Sequence, residues 1–425
     1  MNRDRKLSAD ARAHPVDPAP QRGEVDTGAP VRARRNGQAA LGVTGERRVG
    51  ALSEERRPVD RIETRRSEAA ESAIGSTVKA GSPQQRGVEG EVRAGSAHGR
   101  DQRRKALNGP ALAPASMPHA TPDDSWPTPT EEGHVSAAGY RLYYRSAGID
   151  RDGRSTLLCL HGGPGATHEY LRPIADLAER GYRTVFIDQL GCGRSDRPAD
   201  RSVFTVEHNV REVEDVRLAL GLGRVHLFGS SYGGLLALAF AVRHPDSLRS
   251  LITAGGVASV PLAVREMNRL IDELPEPIRQ SIRRCQAEGR TSGEEYERGV
   301  AAFYQRHVCR LDPVPPRFAK TLREINPDVY GLMNGPDEFT VVGTIAGWDE
   351  SDRLGEIRVP ALVTGGAYDE VTPVVARQIA DGIPGAELEI FPNSSHLPFW
   401  EERDAYLERL ERFLEKVRSS DRSGA

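Results

Sequence analysis

The sequence predicts an α/β fold in which a mostly parallel sheet carries helices on both faces. From about residue 131, short apolar runs alternate with helical patterns, which is typical of strands joined by crossover helices. One apolar run leads through a tight Gly-x-Ser-x-Gly turn directly into a helix. The alternation stops at about Ser259 and resumes after about Trp348, and the almost wholly helical pattern between them predicts an inserted cap.

The N-terminal part of the chain, residues 1–130, is predicted to be a disordered extension. It is rich in Arg, Gly, Ala, Pro and Glu, and it has almost no aromatic residues and no sustained apolar period. Such a segment buries too little apolar surface to offset the entropy lost on ordering. Because its charges are mixed in sign, a basic nucleic-acid-binding tail is the less favoured alternative. A second alternative is that this N-terminal segment results from an artefactual or alternative translation start.

The elements of the sheet domain follow from local signals. Residues 134–148 contain two strands around a turn at Gly139, and the helical spacing of residues 169–181 ends at Gly181, a C-cap signal. Thr205 is a predicted N-cap for the helix that follows it. The other predicted strands are Thr156–Leu160, Arg183–Ile187, Arg224–Phe228, Leu248–Thr253, Pro360–Gly365 and Leu388–Phe391, and the other predicted helices are Leu235–Arg243, one from Pro373 and a closing helix through Val417.

These patterns divide the chain into predicted segments. We expect a sheet domain in two parts, residues 131–258 and 349–418, a helical cap at residues 259–348, and a tail at residues 419–425. The first ten residues lack the apolar segment of a secretory signal, and no stretch is apolar enough to span a bilayer. The four cysteines have neither metal-ligand spacing nor a disulfide pattern. We therefore expect a cytoplasmic protein without metal or cofactor that binds neither nucleic acid nor membrane.

The Gly-x-Ser-x-Gly turn predicts a nucleophile. It lies between the predicted strand Arg224–Phe228 and the predicted helix Leu235–Arg243, and that context makes the motif a nucleophile elbow. Gly229 and Gly233 fit a turn that is too tight for larger side chains. Ser231 would project its hydroxyl from the end of the sheet. A serine hydroxyl is a poor nucleophile at neutral pH, so it needs a base that a third group orients.

Asp369 and His396 are the predicted partners of Ser231. Each lies on a loop that follows a predicted strand, and they follow the serine in the order expected for this fold. Taken alone, Asp369 would be an N-terminal cap of the helix near Pro373, and His396 a solvated or core histidine. The joint pattern predicts a triad in which His396 takes the serine proton and Asp369 orients the imidazole.

An oxyanion hole is predicted on two sides of Ser231. One donor is the backbone N–H of Tyr232, and the other is expected from the loop His161–Gly165, most naturally the N–H of Gly163. Glycines let this backbone approach a substrate closely. The alternative interpretation of the loop is a plain tight turn, and His161 is expected to brace the loop without transferring protons.

Three motifs together resemble the proline iminopeptidase family of α/β-hydrolases. They are His161-Gly162-Gly163-Pro164-Gly165, the loop DQLGCGRS at Asp188–Ser195, and the elbow Gly229–Gly234. The stretches VPLAVREMNRLIDELP, MNGPDEFTVVGTIAGWD and GAYDEVTP look closest to the tricorn-associated branch of that family. The resemblance extends from about Glu131 to Val417 and implies the α/β-hydrolase fold.

The resemblance implies cleavage after the first residue of short peptides with a free N-terminus. In the family two glutamates hold the substrate's α-ammonium, and the matching positions here are Glu338 in the cap and Glu370 beside Asp369. Carboxylates suit this role because they form charge-assisted hydrogen bonds with an ammonium. Tyr330 falls where the family has a substrate-binding tyrosine. Without the resemblance, both glutamates would be interpreted as solvated loop acids.

The sequence therefore predicts a serine aminopeptidase that releases N-terminal proline, or another small or apolar residue, through an acyl-enzyme. An amino-acid amidase or ester hydrolase could use the same triad and the same ammonium-binding acids. A non-catalytic ligand-binding protein on the hydrolase fold is a more distant alternative, which the complete set of serine, histidine and aspartate disfavours. The sequence does not indicate the oligomeric state or the preferred first residue.

Overall fold

A computed structural model describes residues 125–150 and 156–423 of the chain. The predicted disordered extension falls mainly on residues 1–124, which lie outside the described residues, so disorder there stays a prediction. Among the helices of the two described ranges, none combines the length and the apolar character that crossing a membrane requires. All four cysteines are buried and unpaired.

A single sheet of eight strands runs through the described part of the chain. The strands are β1 (Glu131–Ala137), β2 (Tyr140–Ala147), β3 (Thr156–Leu160), β4 (Arg183–Ile187), β5 (Val225–Ser230), β6 (Leu248–Ala254), β7 (Ala361–Gly366) and β8 (Glu387–Phe391). Their order across the sheet is β1-β2-β4-β3-β5-β6-β7-β8. Strand β2 pairs antiparallel with β1 and β4, and the other pairs are parallel. The predicted mostly parallel sheet is confirmed, and β3 and β4 have the predicted bounds.

Ten α-helices accompany the sheet within residues 125–150 and 156–423. They are α1 (Val206–Ala219), α2 (Tyr232–Arg243), α3 (Val260–Asp272), α4 (Glu276–Ala287), α5 (Glu294–His307), α6 (Pro316–Glu324), α7 (Pro327–Met333), α8 (Pro373–Gly382), α9 (Pro398–Glu401) and α10 (Arg403–Ser423). Helix α1 begins after Thr205, whose hydroxyl accepts a hydrogen bond from the His208 N–H. This confirms the predicted N-cap.

The segment after β3 differs from its prediction. The spacing of residues 169–181 predicted an α-helix, and the structure has a 3-10 helix at His168–Ala178 with Pro173 inside it. Proline lacks an N–H and its ring clashes with the carbonyl four residues earlier, so it disfavours α-helical geometry. Gly181 follows with a positive φ of 88°, as its predicted role as a helix end requires.

Both faces of the sheet are covered. Successive side chains of a strand point to opposite faces, and in β3 they enter two different core clusters. Leu158 and Leu160 pack with apolar residues of α1 and α2. Leu157 and Cys159 pack with apolar residues of the 3-10 helix and α10. The strand is therefore apolar along its whole length, as a strand between two layers of helices must be.

Helices α3 to α7 form an insertion between β6 and β7. Its two ends meet, because the Val260 N–H donates to the Trp348 carbonyl at 2.9 Å and Ser259 pairs with Asp349. The sequence predicted an almost wholly helical insertion, whereas its helices end at Met333. Gly335 follows with a φ of 147° and Pro336 comes next, which accounts for the end of the helix.

The insertion touches the loops at the carboxyl ends of the strands. The Asn326 N–H donates to the Gly165 carbonyl at 2.8 Å, and the Asn326 side-chain amide donates to the Gly191 carbonyl at 2.8 Å. At the loop after β7, the Glu370 N–H donates to the His307 carbonyl at 3.1 Å. The insertion therefore contacts the loops after β3, β4 and β7.

Candidate active site

Ser231 occupies a strained turn between β5 and α2. Its φ of 56° and ψ of −124° lie in a region that costs a non-glycine residue roughly 1–3 kcal/mol. An added Cβ on Gly229 would lie 2.0 Å from the Gly233 carbonyl oxygen, and one on Gly233 would lie 2.3 Å from the Leu160 carbonyl oxygen. Both glycines are therefore required for the chain to turn here. Ser231 is partly exposed, although its neighbours Ser230 and Tyr232 are buried.

The loops after β7 and β8 bring Asp369 and His396 together. Asp369 Oδ1 lies 2.7 Å from His396 Nδ1, and both side chains are buried. The imidazole packs over Gly255, where an added Cβ would lie 2.6 Å from His396 Cε1. The preceding residue, Ala254, accepts the Ser231 N–H at 2.9 Å. The end of β6 therefore contacts both Ser231 and His396, and His396 Nε2 has no hydrogen-bond partner among the described residues.

Three carboxylates act on the imidazole of His396. Burial would lower its pKa, but Asp369, followed by Glu370 and Glu338, raises the pKa from 6.5 to about 10. Glu370 Oε1 lies 3.8 Å from Nε2, the ring nitrogen opposite the one that faces Asp369. The negative charge of these carboxylates therefore favours the binding of a cation at this site.

The loop after β3 passes directly beside the serine. An added Cβ on Gly162 would lie 2.7 Å from Ser231 Cβ, so only glycine fits there. The next residue, Gly163, has a φ of 111°. The Gly162 N–H donates to the Tyr170 hydroxyl at 2.7 Å, which fixes the loop against the 3-10 helix. Tyr232 begins α2, where backbone N–H groups have no helical acceptor.

His161 braces this loop. Its Nε2 accepts the Gln189 N–H at 3.1 Å, so Nδ1 carries the proton that is donated to the Gly162 carbonyl at 2.9 Å. Burial lowers the pKa of His161 to about 4, although Asp188 opposes the change, so the ring is neutral at pH 7. The Gln189 side chain also donates to the His161 carbonyl at 2.7 Å. These contacts leave neither ring nitrogen for proton transfer.

The two predicted glutamates lie at the same site. Glu338 Oε1 accepts hydrogen bonds from the Tyr330 hydroxyl at 2.8 Å and the Tyr304 hydroxyl at 3.4 Å. Glu370 is buried, and its Oε2 has no hydrogen-bond partner among the described residues. Burial raises the pKa of both carboxyls, the charge of Glu338 adds to the rise at Glu370, and the nearby His396 opposes the rise at both. The interpretation of Glu370 as a solvated loop acid is therefore wrong.

The fold and the motifs of this site have counterparts in known proteins. Residues 155–403 match a family model described as the alpha/beta hydrolase fold. The chain is 44% identical over 291 residues to the proline iminopeptidase of Saccharolobus solfataricus, and the match covers 68% of this chain and 94% of that protein. The chain belongs to the proline iminopeptidase family of α/β hydrolases. The family resemblance predicted from the motifs is confirmed, and the tricorn-associated branch stays a prediction.

One further relative and two solved structures are also similar to this chain. The proline iminopeptidase of Thermoplasma volcanium is 45% identical over 288 residues, which cover 67% of this chain and 97% of that protein. The crystal structure of Mycobacterium smegmatis proline iminopeptidase has 34% identity and a TM-score of 0.65, and covers 68% of this chain and 99% of that one. The crystal structure of VinJ has 39% identity and a TM-score of 0.66, with 68% and 100% covered.

Several residues of the site were not predicted from the sequence. Tyr170 and Tyr304 lie in helical patterns, where an aromatic residue is normally interpreted as core. Gly255 gave no signal beyond its place after a strand. The predicted substrate-binding role of Tyr330 stays a prediction, and its hydroxyl donates a hydrogen bond to Glu338. Within residues 125–150 and 156–423, no group of three or more His, Cys, Asp or Glu side chains could hold a metal ion.

Proposed function

We propose that this chain is a serine aminopeptidase that releases N-terminal proline, or another small or apolar residue, from short peptides. The observation that carries the proposal is the 3.8 Å separation of Glu370 Oε1 from His396 Nε2. It puts an acid that suits an ammonium beside the base of a serine nucleophile. The names of the relatives in Saccharolobus and Thermoplasma, both proline iminopeptidases, support the same substrate class.

The first half of the proposed reaction forms an acyl-enzyme. His396 Nε2 takes the Ser231 proton while Oγ attacks the carbonyl carbon of the first residue. The N–H groups of Gly163 and Tyr232 stabilise the resulting oxyanion, a contribution for which one donor typically counts about 10²–10³ in rate. His396 then gives its proton to the leaving amine, and the peptide C–N bond breaks.

The second half hydrolyses this intermediate. His396 Nε2 takes a proton from water, which attacks the acyl carbon, and Ser231 leaves with the proton that His396 returns. Asp369 accepts a hydrogen bond from the Nδ1–H of His396 throughout, with Nδ1 and Oδ1 2.7 Å apart. The charged hydrogen bond favours one ring orientation in both halves.

The free N-terminus is the proposed basis of exopeptidase specificity. Glu338 and Glu370 would hold the substrate's ammonium through charge-assisted hydrogen bonds, each typically contributing about 1.5–3 kcal/mol. Tyr330 and Tyr304 hold Glu338 through its Oε1. A peptide bond further along a chain has no ammonium at this distance from the carbonyl, so only the first bond would be cleaved.

Four buried, unpaired cysteines support a reducing compartment, and we propose the cytoplasm.

Substitution of the nucleophile tests the mechanism. For Ser231→Ala we expect kcat on prolyl and alanyl arylamides to fall about 10⁴-fold or more, because the oxyanion donors alone give little catalysis. The melting temperature, measured in parallel, checks that the variant is folded. Undiminished turnover by a folded variant contradicts the mechanism. A comparison of prolinamide with prolyl dipeptides separates a peptidase from an amino-acid amidase.

A further inference from the structure

We propose that the substrate's ammonium switches His396 into its basic form by neutralising Glu338 and Glu370, so that the amine is needed for catalysis as well as for binding. This inference rests on the proposed function and deepens it. In the empty site the two glutamates would favour the imidazolium, which cannot take the Ser231 proton. The bound amine would offset the charge of both glutamates and so remove this preference for the imidazolium.

The geometry around the ring carries this proposal. Asp369 Oδ1 lies 2.7 Å from Nδ1 of His396, and Glu370 Oε1 lies 3.8 Å from Nε2. An imidazolium would therefore have a carboxylate oxygen within 4 Å of each of its two ring nitrogens. Because catalysis needs the lone pair of Nε2, Glu370 opposes the basic form at the nitrogen that must accept a proton.

The other groups around His396 do not balance these charges. On the cap side lies Glu338, with the hydroxyls of Tyr330 and Tyr304 on its Oε1. The His307 carbonyl accepts the Glu370 N–H, and burial lowers the pKa of the His307 imidazole. Other titratable groups of the surrounding elements include Asp337, which the Tyr296 hydroxyl binds, Tyr170, which contacts Gly162, and Glu401, which accepts the Ser395 N–H. Arg310 is also nearby, with its guanidinium 3.7 Å from the centre of the Tyr368 ring.

One oxygen of Glu370 and one nitrogen of His396 lack hydrogen-bond partners among the described residues. These two atoms, Glu370 Oε2 and His396 Nε2, are both buried. Buried polar atoms normally have partners. A cation with several N–H groups, such as the ammonium of a peptide, would satisfy Glu370 and would offset its charge.

The proton balance of the switch is simple. When the ammonium binds, it offsets the part of the raised His396 pKa that comes from Glu370 and Glu338, while the effect of Asp369 remains, and His396 loses its Nε2 proton to solvent. Nε2 then accepts the Ser231 proton. The ammonium belongs to the acyl group, so it stays in place until the acyl-enzyme is hydrolysed. Departure of the free amino acid restores the imidazolium.

This switch differs from simple binding in a measurable way. If the glutamates only bind the amine, their loss weakens the binding of amine substrates and leaves neutral substrates unaffected. If they also hold His396 protonated, their loss makes the enzyme faster on a neutral substrate at neutral pH. A small neutral ester, p-nitrophenyl acetate, reports on this because it acylates serine and carries no amine.

The test is the pH profile of p-nitrophenyl acetate hydrolysis by wild type, Glu370→Gln and Glu338→Gln. We expect the acid limb of Glu370→Gln to lie about 1–3 pH units below that of wild type. At a pH below both limbs, the variant should be about tenfold faster than wild type for each pH unit that separates them. Coincident profiles for wild type and Glu370→Gln overturn the proposal. Loss of ester hydrolysis in His396→Ala shows that the profile reports on His396.

Asp337→Asn is the matched control. Asp337 is a buried acid next to Glu338 in the chain, but its Oδ2 accepts the Tyr296 hydroxyl. Its replacement should move the acid limb much less than Glu370→Gln does. An equal shift in the control overturns the assignment to Glu370, because it would indicate a general change in the charge of the cap.

A measurement on wild type keeps the proposal testable if the variants do not fold. Calorimetric titration with L-prolinol, in buffers of different ionisation enthalpy, counts the protons released when this non-hydrolysable amine binds. Between pH 7 and 8 we expect release of about one proton, because amine and proton compete for the acids and His396. Binding without proton release overturns the proposal. Failure to cleave prolyl arylamides contradicts the proposed function instead.

Discussion

Two buried histidines lie beside the candidate nucleophile, and their surroundings give them opposite properties. His161, on the loop after β3, has both ring nitrogens occupied, and burial lowers its pKa to about 4. His396, on the loop after β8, has one nitrogen without a partner among the described residues, and Asp369, Glu370 and Glu338 together outweigh burial and raise its pKa. The same type of side chain therefore has a lowered pKa and braces a loop as His161, whereas carboxylates raise its pKa as His396.

Burial alone therefore does not make a histidine catalytic. Burial lowers the pKa of an imidazole wherever it occurs. The acids decide the outcome: Asp188 acts on His161 only as an opposing influence, whereas three carboxylates act on His396. Proton transfer also needs a ring nitrogen that no neighbouring group occupies, and of these two histidines only His396 has one within the described part of the chain.

Replacement of each histidine by alanine should show the difference between them most clearly. For His396→Ala we expect kcat on prolyl arylamides to fall about 10⁴-fold or more, as for loss of a triad member. For His161→Ala we expect a fall of about 10²–10³, because the loop that carries Gly163, the proposed oxyanion donor, loses its brace. Steady-state kinetics on both folded variants measures the difference.

Equal losses in the two variants would contradict the distinction between brace and base. The pH profile separates the roles further. His161→Ala should keep the acid limb of the wild type, since the ring of His161, with its pKa lowered to about 4, is already neutral at pH 7. A limb displaced by this substitution would mean that His161 takes part in proton transfer.

Tyr170 sharpens the account of the loop with a smaller expected effect. In Tyr170→Phe the Gly162 N–H loses its acceptor at 2.7 Å, and an unpaired buried N–H costs about 1–3 kcal/mol. We expect kcat to fall roughly 10–100-fold with little change in KM, because the loop serves the transition state. Tyr304→Phe is the control: its hydroxyl lies 3.4 Å from Glu338 Oε1, so its removal should act mainly on KM. A rise in KM alone for Tyr170→Phe would contradict this role.

The sequence was sufficient wherever function depends on local order along the chain. Strand β3 and strand β4 have the predicted bounds, since their apolar runs are short and end at polar or glycine residues. Ser231, Asp369 and His396 each follow a strand, and carboxyl ends of parallel strands meet at one edge of a sheet. Their juxtaposition could therefore be predicted without knowing any distance.

The sequence was insufficient where function depends on packing between distant segments. The hydroxyl of Tyr304 reaches Glu338 only because α5 packs beside the non-helical end of the cap. The 3-10 helix after β3 shows the same limit, since helical spacing does not distinguish the two geometries around Pro173. The raised pKa of His396 could not be inferred either, because it depends on carboxylates from two separate parts of the chain.

We propose that an ammonium held by Glu338 and Glu370 makes this serine hydrolase an aminopeptidase. The most direct test compares kcat/KM for a prolyl arylamide and for its N-acetylated form, in wild type and in Glu338→Gln. We expect wild type to prefer the free amine by about 10²-fold or more, and Glu338→Gln to lose roughly 10–100-fold on the free amine alone. Equal kcat/KM for free and blocked substrates in wild type would contradict the claim and would indicate a general esterase or amidase.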